Sequence, residues 1–141
     1  MLIIATVASA AIPRFGNTLG RRRLMMAAQR LQQDIKLAQA KAIQTSAPYL
    51  VRFNEGNCLY KITTGTRAAT GLDHATVNLG EEPYSMSALE ASYTPGKTLA
   101  IDGFGVLDQA GTVTLIYGRE VIIITLDTDG GASIAPQWEY R

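Results

Sequence analysis

The run Asp127-Thr128-Asp129-Gly130 holds the residue types best suited to chemistry in this sequence, with two carboxylates at alternate positions before a glycine. Carboxylate oxygens suit a calcium ion, and this is the pattern that opens a calcium-binding loop. The closing glutamate should stand at the twelfth position, which is Trp138, whereas Glu139 lies one residue further on. Aspartate and glycine also favour tight turns. The run therefore favours a hairpin turn, with calcium binding by Asp127 and Asp129 as the alternative.

Two other side chains that could be reactive stand alone. His74 is the only histidine, lies in a polar stretch and has no second metal ligand near it in sequence, so we predict a solvated loop side chain. Cys58 is the only cysteine, which excludes an internal disulfide, and we predict a small core residue. The chain has no P-loop, GxSxG, HExxH or CxxC motif. We predict no enzymatic activity, no catalytic or metal site and no cofactor.

Three consecutive arginines, Arg21, Arg22 and Arg23, could contact phosphates of nucleic acid or of lipid head groups. Consecutive residues of a helix spread around its circumference, so the three side chains would not form a one-sided binding strip. The formal net charge of +1 gives no general attraction to nucleic acid or to an acidic membrane. We predict a solvated or interfacial collar just outside a membrane.

The elements that position these residues begin with an amphipathic helix. Its apolar residues recur at alternating steps of four and three and therefore share one face; they are Leu24, Ala28, Leu31, Ile35, Ala38 and Ala42. The opposite face is polar, and the helix should end near Thr45, before Pro48. Because the stripe is narrow and rich in alanine, a partner surface can approach closely. These six residues are the predicted contact between helix and sheet.

An uncharged, apolar stretch, residues 1–12, precedes this helix. As a helix it would be about 18 Å long, against roughly 30 Å of bilayer hydrocarbon. It could be a secretory signal peptide, although the basic start is missing, a buried core helix, or the end of a longer membrane helix. The helical pattern continues after Pro13, which favours the third interpretation. Pro13, Gly16 and Gly20 predict a kinked or loose junction between the two helical stretches.

The pattern changes to that of strands after Pro48. Segments 49–53 and 58–62 predict a hairpin, and further strands are expected at 98–101, 112–117, 121–126 and 132–134, with weaker candidates at 76–79 and 85–86. One helix followed by six to eight antiparallel strands is an α+β layout. The predicted fold is thus a long N-terminal helix, kinked near Pro13, packed on an antiparallel β domain.

Size and composition agree with one folded unit. The chain has 141 residues, of which 47% are hydrophobic and 18% charged, so disorder is not expected. We divide it into residues 1–20, the remnant of an apolar membrane or filament helix, 21–47, the amphipathic helix, and 48–141, the β domain. Residues 21–141 should form one globular domain.

The order of these elements resembles that of type IV pilin-like proteins. The apolar helix ends in Ala10-Ala11-Ile12-Pro13-Arg14-Phe15, and the amphipathic helix contains Leu31-Gln32-Gln33-Asp34-Ile35-Lys36-Leu37-Ala38, followed by Val51-Arg52-Phe53. Together with Ile101-Asp102-Gly103-Phe104-Gly105 and Gly111-Thr112-Val113-Thr114-Leu115, this order is similar to that of the GspH/FimT group of minor pseudopilins. The similarity covers most of the chain and is weakest over residues 63–96.

The resemblance implies a structural minor pseudopilin of a bacterial type II secretion system. Such a subunit would be held in the inner membrane by one helix, would place its β domain in the periplasm, and would then join a filament with other pseudopilins or pilins. Contacts with secreted proteins would be possible, and nucleic acid is not an expected partner. The residues that the resemblance assigns to membrane or filament packing are Leu2, Ile3, Ile4, Val7, Ala8, Ala11, Ile12 and Pro13.

Such proteins begin with a basic leader, a prepilin peptidase site and a glutamate within the apolar run, and this sequence has none of them. Met1 would fall inside the family's membrane helix, so we expect a misplaced start, a trimmed chain or a defective copy. Two other functions stay open. One is a minor type IV pilin, in which a basic C-terminal strand could capture DNA, although residues 130–134 carry no arginine here. The other is a secreted soluble binding domain.

Overall fold

A single long helix, α1 (Leu2–Thr45), leads the computed structural model. The structure describes residues 2–66, 70–94 and 96–137, and the side chains of 18–66, 71, 75–94 and 96–137. The helix continues without interruption past Pro13, Gly16 and Gly20, where the sequence predicted a kinked or loose junction. Strong helix formers such as alanine, leucine and arginine dominate both flanks, and they join the two predicted stretches into one element.

The C-terminal end of α1 is closed by a cap in which Ser46 adopts a left-handed conformation, φ 52°. The Ser46 N–H bonds to the carbonyl of Ile43 at 3.3 Å, and the Ala47 N–H bonds to that of Ala42 at 3.2 Å. This pair of bonds satisfies carbonyls that the end of a helix otherwise leaves without a donor. The cap turns the chain directly into the first strand.

Eight strands follow in the described part of the chain: β1 (Tyr49–Asn54), β2 (Leu59–Gly65), β3 (Thr70–Asn78), β4 (Ala88–Ala91), β5 (Thr98–Ile101), β6 (Gly111–Tyr117), β7 (Glu120–Leu126) and β8 (Ala132–Pro136). They form two four-stranded sheets, the first in the order β3-β2-β1-β5 and the second in the order β4-β6-β7-β8. All neighbouring strands are antiparallel. The predicted α+β fold, a long helix on antiparallel strands, is confirmed.

Two predictions for residues 63–96 were wrong. Ser85 and Met86 do not form a strand, because Ser85 has φ 51° and its N–H bonds to the Glu81 carbonyl in a turn. The strand lies at β4 instead, where the helix-forming sequence Ala-Leu-Glu-Ala gave no β signal. His74, predicted in a loop, lies within β3, which is longer than the segment 76–79 that the sequence indicated.

One core joins the helix to both sheets. Helix α1 packs against β6 and β7 of the second sheet and against β1 and β5 of the first. Inward-facing strand residues complete the core, among them Val51, Leu99, Leu115 and Ile124, all fully buried. Because alternate residues of a strand point to opposite faces, each sheet contributes one apolar face to this core.

Tyr93, in the core, makes the stability of the fold depend on pH. Its ring is fully buried and stacks on Phe53 with the ring centroids 5.6 Å apart, and its hydroxyl has no hydrogen-bond partner among the described residues. Burial, reinforced by the negative charge of Asp108, raises the pKa of Tyr93 above its usual value. In the unfolded chain this tyrosine ionises near pH 10, whereas in the folded chain it stays protonated. The folded state therefore loses stability as the pH rises above about 10.

Replacing Tyr93 by phenylalanine should reduce this alkaline loss. Urea unfolding at pH 8 and at pH 11 should show a smaller fall in unfolding free energy for Tyr93→Phe than for the unmodified chain. At pH 8 the substitution should be neutral or slightly stabilising, because it removes a buried hydroxyl that forms no hydrogen bond within the described part of the chain. Tyr117→Phe is the matched control, since Tyr117 is only partly buried. An unchanged pH dependence in Tyr93→Phe would contradict the assignment.

Candidate interaction surface

The predicted helix-to-sheet residues all lie on the buried face of α1. Leu24, Ala28, Leu31, Ile35, Ala38 and Ala42 are between 0% and 2% exposed. Ala27, which the stripe did not include, is also fully buried. With four alanines among the seven, the helix backbone lies close to both sheets. This buried stripe fixes which face of α1 points outward.

The residues predicted for membrane or filament packing all lie within α1. They are Leu2, Ile3, Ile4, Val7, Ala8, Ala11, Ile12 and Pro13. Their side chains lie outside the described part of the structure. Among the described residues, no helix combines the length and the apolar character that a membrane crossing requires.

Helix α1 packs closely on the second sheet at Gly20. A Cβ atom at this position would lie 2.8 Å from Cδ1 of Tyr117, at the end of β6. That separation is shorter than a carbon–carbon contact, so only glycine lets the helix lie against this ring. Gly20 is therefore a point of close contact between the helix and β6.

The three arginines of the predicted collar differ in their surroundings. Arg21 lies 3.6 Å from the Glu120 carboxylate. Arg23 lies 3.5 Å from that of Glu82, and its guanidinium is 5.8 Å from the centre of the Tyr117 ring, within cation–π range. Arg22 is exposed. Arg21 is exposed as well and Arg23 is partly exposed, and both also contact the chain's own β domain.

Arg22 lies on an outward face of α1 between two exposed apolar side chains. Leu19 is 44% exposed and Met26 is 48% exposed, and the spacing of three and four residues places all three on one side of the helix. We call Leu19, Arg22 and Met26 the basal face. It combines apolar surface with one positive charge.

The opposite end of the domain is formed by the loop between β5 and β6. Asp102 organises it, because its Oδ1 accepts hydrogen bonds from the N–H groups of Phe104 at 2.9 Å and Val106 at 3.0 Å. The Asp102 carbonyl also accepts the Gly105 N–H at 3.0 Å. These bonds hold the loop in one conformation, with the Phe104 ring outside it and 85% exposed.

The loop is hydrogen-bonded to the C-terminal part of α1. The Gln39 side chain donates to the Gly105 carbonyl at 2.9 Å, and Gly105 has φ +80°, a conformation that favours glycine. A Cβ atom at Gly105 would lie 2.8 Å from Cδ1 of Ile43, so Ile43 lies directly against the loop. We call Ile43, Phe104 and Val106 the apical patch; the first and last are 57% and 46% exposed.

The run considered for calcium forms the turn between β7 and β8. The Asp127 N–H bonds to the Gly131 carbonyl at 2.8 Å, and Asp129 Oδ1 accepts the Gly131 N–H at 3.1 Å. Among the described residues, no group of three or more histidine, cysteine, aspartate or glutamate side chains is placed to hold a metal ion. The predicted hairpin turn is confirmed. The turn lies beside the apical patch, since the Leu107 N–H bonds to the Thr128 carbonyl at 2.8 Å.

The one described side chain among the other residues considered from sequence is that of Cys58. Cys58 is 9% exposed and belongs to the core, as predicted. The side chain of His74 and the residues Trp138, Glu139 and Tyr140 lie outside the described part of the structure. The sequence pointed to Phe104 only as part of the pattern Ile101-Asp102-Gly103-Phe104-Gly105, which resembles the GspH/FimT group. The signal that could have identified it is an aromatic residue between two glycines after an aspartate, which places the ring on a tight loop.

An ion pair between Glu55, just after β1, and Lys97, just before β5, lies against the edge strand β4 of the second sheet. Glu55 Oε1 accepts the Ala91 N–H of β4 at 2.9 Å, and the Lys97 ammonium donates to the Ala91 carbonyl at 2.8 Å, with 3.3 Å between the two charged groups. The Ala91 hydrogen bond and the lysine lower the pKa of Glu55. These side chains thus satisfy the N–H and carbonyl of Ala91, at the end of an edge strand.

A long N-terminal helix packed by a narrow alanine-rich stripe on two antiparallel sheets defines a pilin-like fold. Among solved structures, the chain is similar to the minor pseudopilin EpsH from the Type 2 Secretion System of Vibrio cholerae. The TM-score is 0.64 with 15% identity over 81% of this chain and 97% of that one. It is also similar to the type IV minor pilin FimU of Pseudomonas aeruginosa, with a TM-score of 0.65 and 12% identity over 82% and 90%.

A second crystal structure of the Vibrio cholerae pseudopilin gives a TM-score of 0.64 at 14% identity. No protein-family model and no curated protein matches the chain, so the likeness is one of structure. The resemblance that the sequence suggested is confirmed at the level of fold, which is the fold of minor pseudopilins and minor type IV pilins.

Proposed function

We propose that this protein is a minor pseudopilin of a type II secretion system and acts as a structural subunit of a periplasmic filament. The observation that carries the proposal is the shared fold, which matches nearly the whole length of a minor pseudopilin domain. The proposed role is structural, because the surfaces described above are suited to packing and docking. Its partners would be other pilin-like subunits.

In this proposal the N-terminal part of α1 packs among the helices of neighbouring subunits and, before assembly, lies in the inner membrane. The residues that would make these contacts are Leu2, Ile3, Ile4, Val7, Ala8, Ala11, Ile12 and Pro13. Their mixture of alanine and branched side chains permits close helix packing. The β domain would then face the periplasm and meet its neighbours through exposed loops.

A second candidate is a minor pilin of a type IV pilus, which the equal likeness to FimU favours. DNA capture would then need a basic surface on the last strand. Strand β8 (Ala132–Pro136) carries no charged side chain. We therefore expect at most weak, salt-sensitive DNA binding.

Deleting the gene in its own host tests both candidates. If the protein is a type II pseudopilin, the deletion strain should no longer secrete proteins into the medium, and its surface pili should be unchanged. If the protein is a type IV pilin, the deletion strain should lose its pili, and its protein secretion should be unchanged. Normal secretion together with normal piliation and DNA uptake would overturn both.

Complementation provides the matched control. The unmodified gene should restore the lost process, and so should Gln33→Ala, which changes only an exposed position of α1. Leu31→Asp should fail, because it places a charge in the core between helix and sheets. Equal rescue by Leu31→Asp would show that the folded domain is not needed.

A further inference from the structure

The outward face of the first sheet, on the side away from α1, carries two cations directly opposite each other. Arg52 of β1 lies between the buried Val51 and Phe53, so its side chain points away from the core. Lys61 of β2 is its direct partner in the antiparallel register. Side chains at such paired positions lie close enough for like charges to repel each other. The pairing of β1 with β2 therefore concentrates positive charge at one point of the sheet.

A cleft of about 390 Å³ lies over these two residues. Lys97, in the turn before β5, adds a third cation to its wall, and Leu59 adds apolar surface. Glu55 is the only carboxylate among the described residues that line the cleft, which therefore carry three positive charges and one negative charge. The volume is within the range of pockets that bind small molecules, roughly 300–1,000 Å³. We call Arg52, Lys61 and Lys97 the basic cleft.

Lys97 is held in place at the rim of the basic cleft. Its carbonyl accepts the Phe53 N–H at 2.9 Å, which ties the turn to β1. Its ammonium donates to the Ala91 carbonyl at 2.8 Å and lies 3.3 Å from Glu55 Oε1, which also accepts the Ala91 N–H. Glu55 is thus bound towards β4 and balances Lys97. Among the described lining residues, the remaining positive charge is that of Arg52 and Lys61.

We propose that the basic cleft binds an anion of two or more charges, through either phosphoryl oxygens or a pair of carboxylates. The Arg52 guanidinium is a planar fork whose paired N–H groups match two oxygens of either group. The Lys61 ammonium adds a point charge opposite it, and an anion held between the two offsets their mutual repulsion. The apolar wall at Leu59 suits a ligand with a short carbon skeleton.

Calorimetric titration of the full chain, kept in a non-ionic detergent, tests the proposal with pyrophosphate and with citrate as probes. At low salt, where screening is weakest, at least one of them should bind at a single site with a Kd on the order of 1 mM or tighter. Tighter binding of pyrophosphate would indicate a phosphoryl ligand, and tighter binding of citrate would indicate a carboxylate ligand. If neither probe shows saturable binding, the proposal is overturned.

Removing both opposed cations should abolish most of this binding. The variant that combines Arg52→Gln with Lys61→Gln should raise the Kd at least about ten-fold. Arg22→Gln combined with Lys36→Gln is the matched control, because it removes the same charge from exposed positions of α1, on the other side of the first sheet. The Kd of the control should change less than about two-fold. An equal loss in both variants would show attraction to net charge alone and would overturn the site.

Arg52→Lys isolates the contribution of the guanidinium. It keeps the charge but loses the planar fork, so its Kd should lie between those of the unmodified chain and the double variant. Circular dichroism should show unchanged folding in every variant, since none of the replaced side chains is buried. An unchanged Kd in Arg52→Lys would overturn the role assigned to the fork. This inference goes beyond the proposed filament role: titration tests ligand binding and gene deletion tests the role, so either can fail alone.

Discussion

Leu31→Ala is expected to lower the free energy of unfolding by about 3 kcal/mol, a large part of the about 5–15 kcal/mol that stabilises a typical domain. Leu31 lies at the centre of the buried stripe of α1 and is fully buried. Its truncation removes apolar contacts and leaves a cavity that the rigid sheets fill only in part. Urea unfolding followed by circular dichroism measures the change.

The same substitution on the outward face of the helix provides the control. Leu37 is 54% exposed, and Leu37→Ala should change the unfolding free energy by less than about 0.5 kcal/mol. Both changes replace leucine by alanine in the same helix, so helix propensity cancels and the difference reports burial alone. Equal losses in the two variants would show that α1 is not packed through this stripe.

The sequence allowed this face of the helix to be predicted because helical periodicity is a local property. Residues three and four apart share a face whatever they pack against, so Leu24, Leu31 and Ile35 could be assigned before any partner was known. The same reasoning applies to the strands on either side of Gly118, where alternating side chains flank a short turn. Local patterns of this kind defined the α+β class.

The arrangement of the strands depends on contacts between distant segments, and local patterns do not specify these. Strand β4 has a helix-forming sequence and is extended only because β6 supplies its hydrogen bonds and the core buries Leu89 and Ala91. The separation into two sheets likewise depends on which strands pair. Strand β4 pairs within the second sheet, whereas β5, the next strand along the chain, pairs with β1 in the first sheet. Tertiary pairing overrides propensity in such segments.

The candidate surfaces were predictable only in part, for a similar reason. The arginine cluster was visible in the sequence, but the contacts of its members differ because Glu82, in a turn, and Glu120, at the start of β7, are far away along the chain. The exposure of Phe104 depends on Gln39 and Ile43, which are more than fifty residues earlier in the chain. An exposed aromatic ring cannot be distinguished from a core residue by its type alone.

A side-chain hydrogen bond between α1 and the first sheet is the basis of the second large predicted loss of stability. The Tyr60 hydroxyl donates to Asp34 Oδ2 at 2.6 Å, and the Arg30 guanidinium donates to the same oxygen at 3.0 Å. Tyr60 is fully buried, and burial raises the pKa of its hydroxyl above the usual value, so it remains a donor at neutral pH. Asp34 is therefore the acceptor that makes burial of this hydroxyl tolerable.

Asp34→Ala should lower the free energy of unfolding by about 2 kcal/mol, because it leaves the buried Tyr60 hydroxyl without an acceptor. Arg30→Ala should cost less than about 1 kcal/mol, since Arg30 is half exposed and its ion pair lies at the surface. Urea unfolding of both variants at neutral pH gives the comparison. Similar losses would show that the ion pair, and not the tyrosine, accounts for the effect of Asp34.

A double substitution separates the hydroxyl from the rest of Asp34. Tyr60→Phe in the Asp34→Ala background removes the donor that has lost its partner, so the double variant should be more stable than Asp34→Ala alone. If the two losses simply added, the 2.6 Å hydrogen bond would carry no coupling between helix and sheet. Recovery of stability in the double variant would instead show that the unpartnered Tyr60 hydroxyl accounts for the loss in Asp34→Ala, and hence that this hydrogen bond couples α1 to the first sheet.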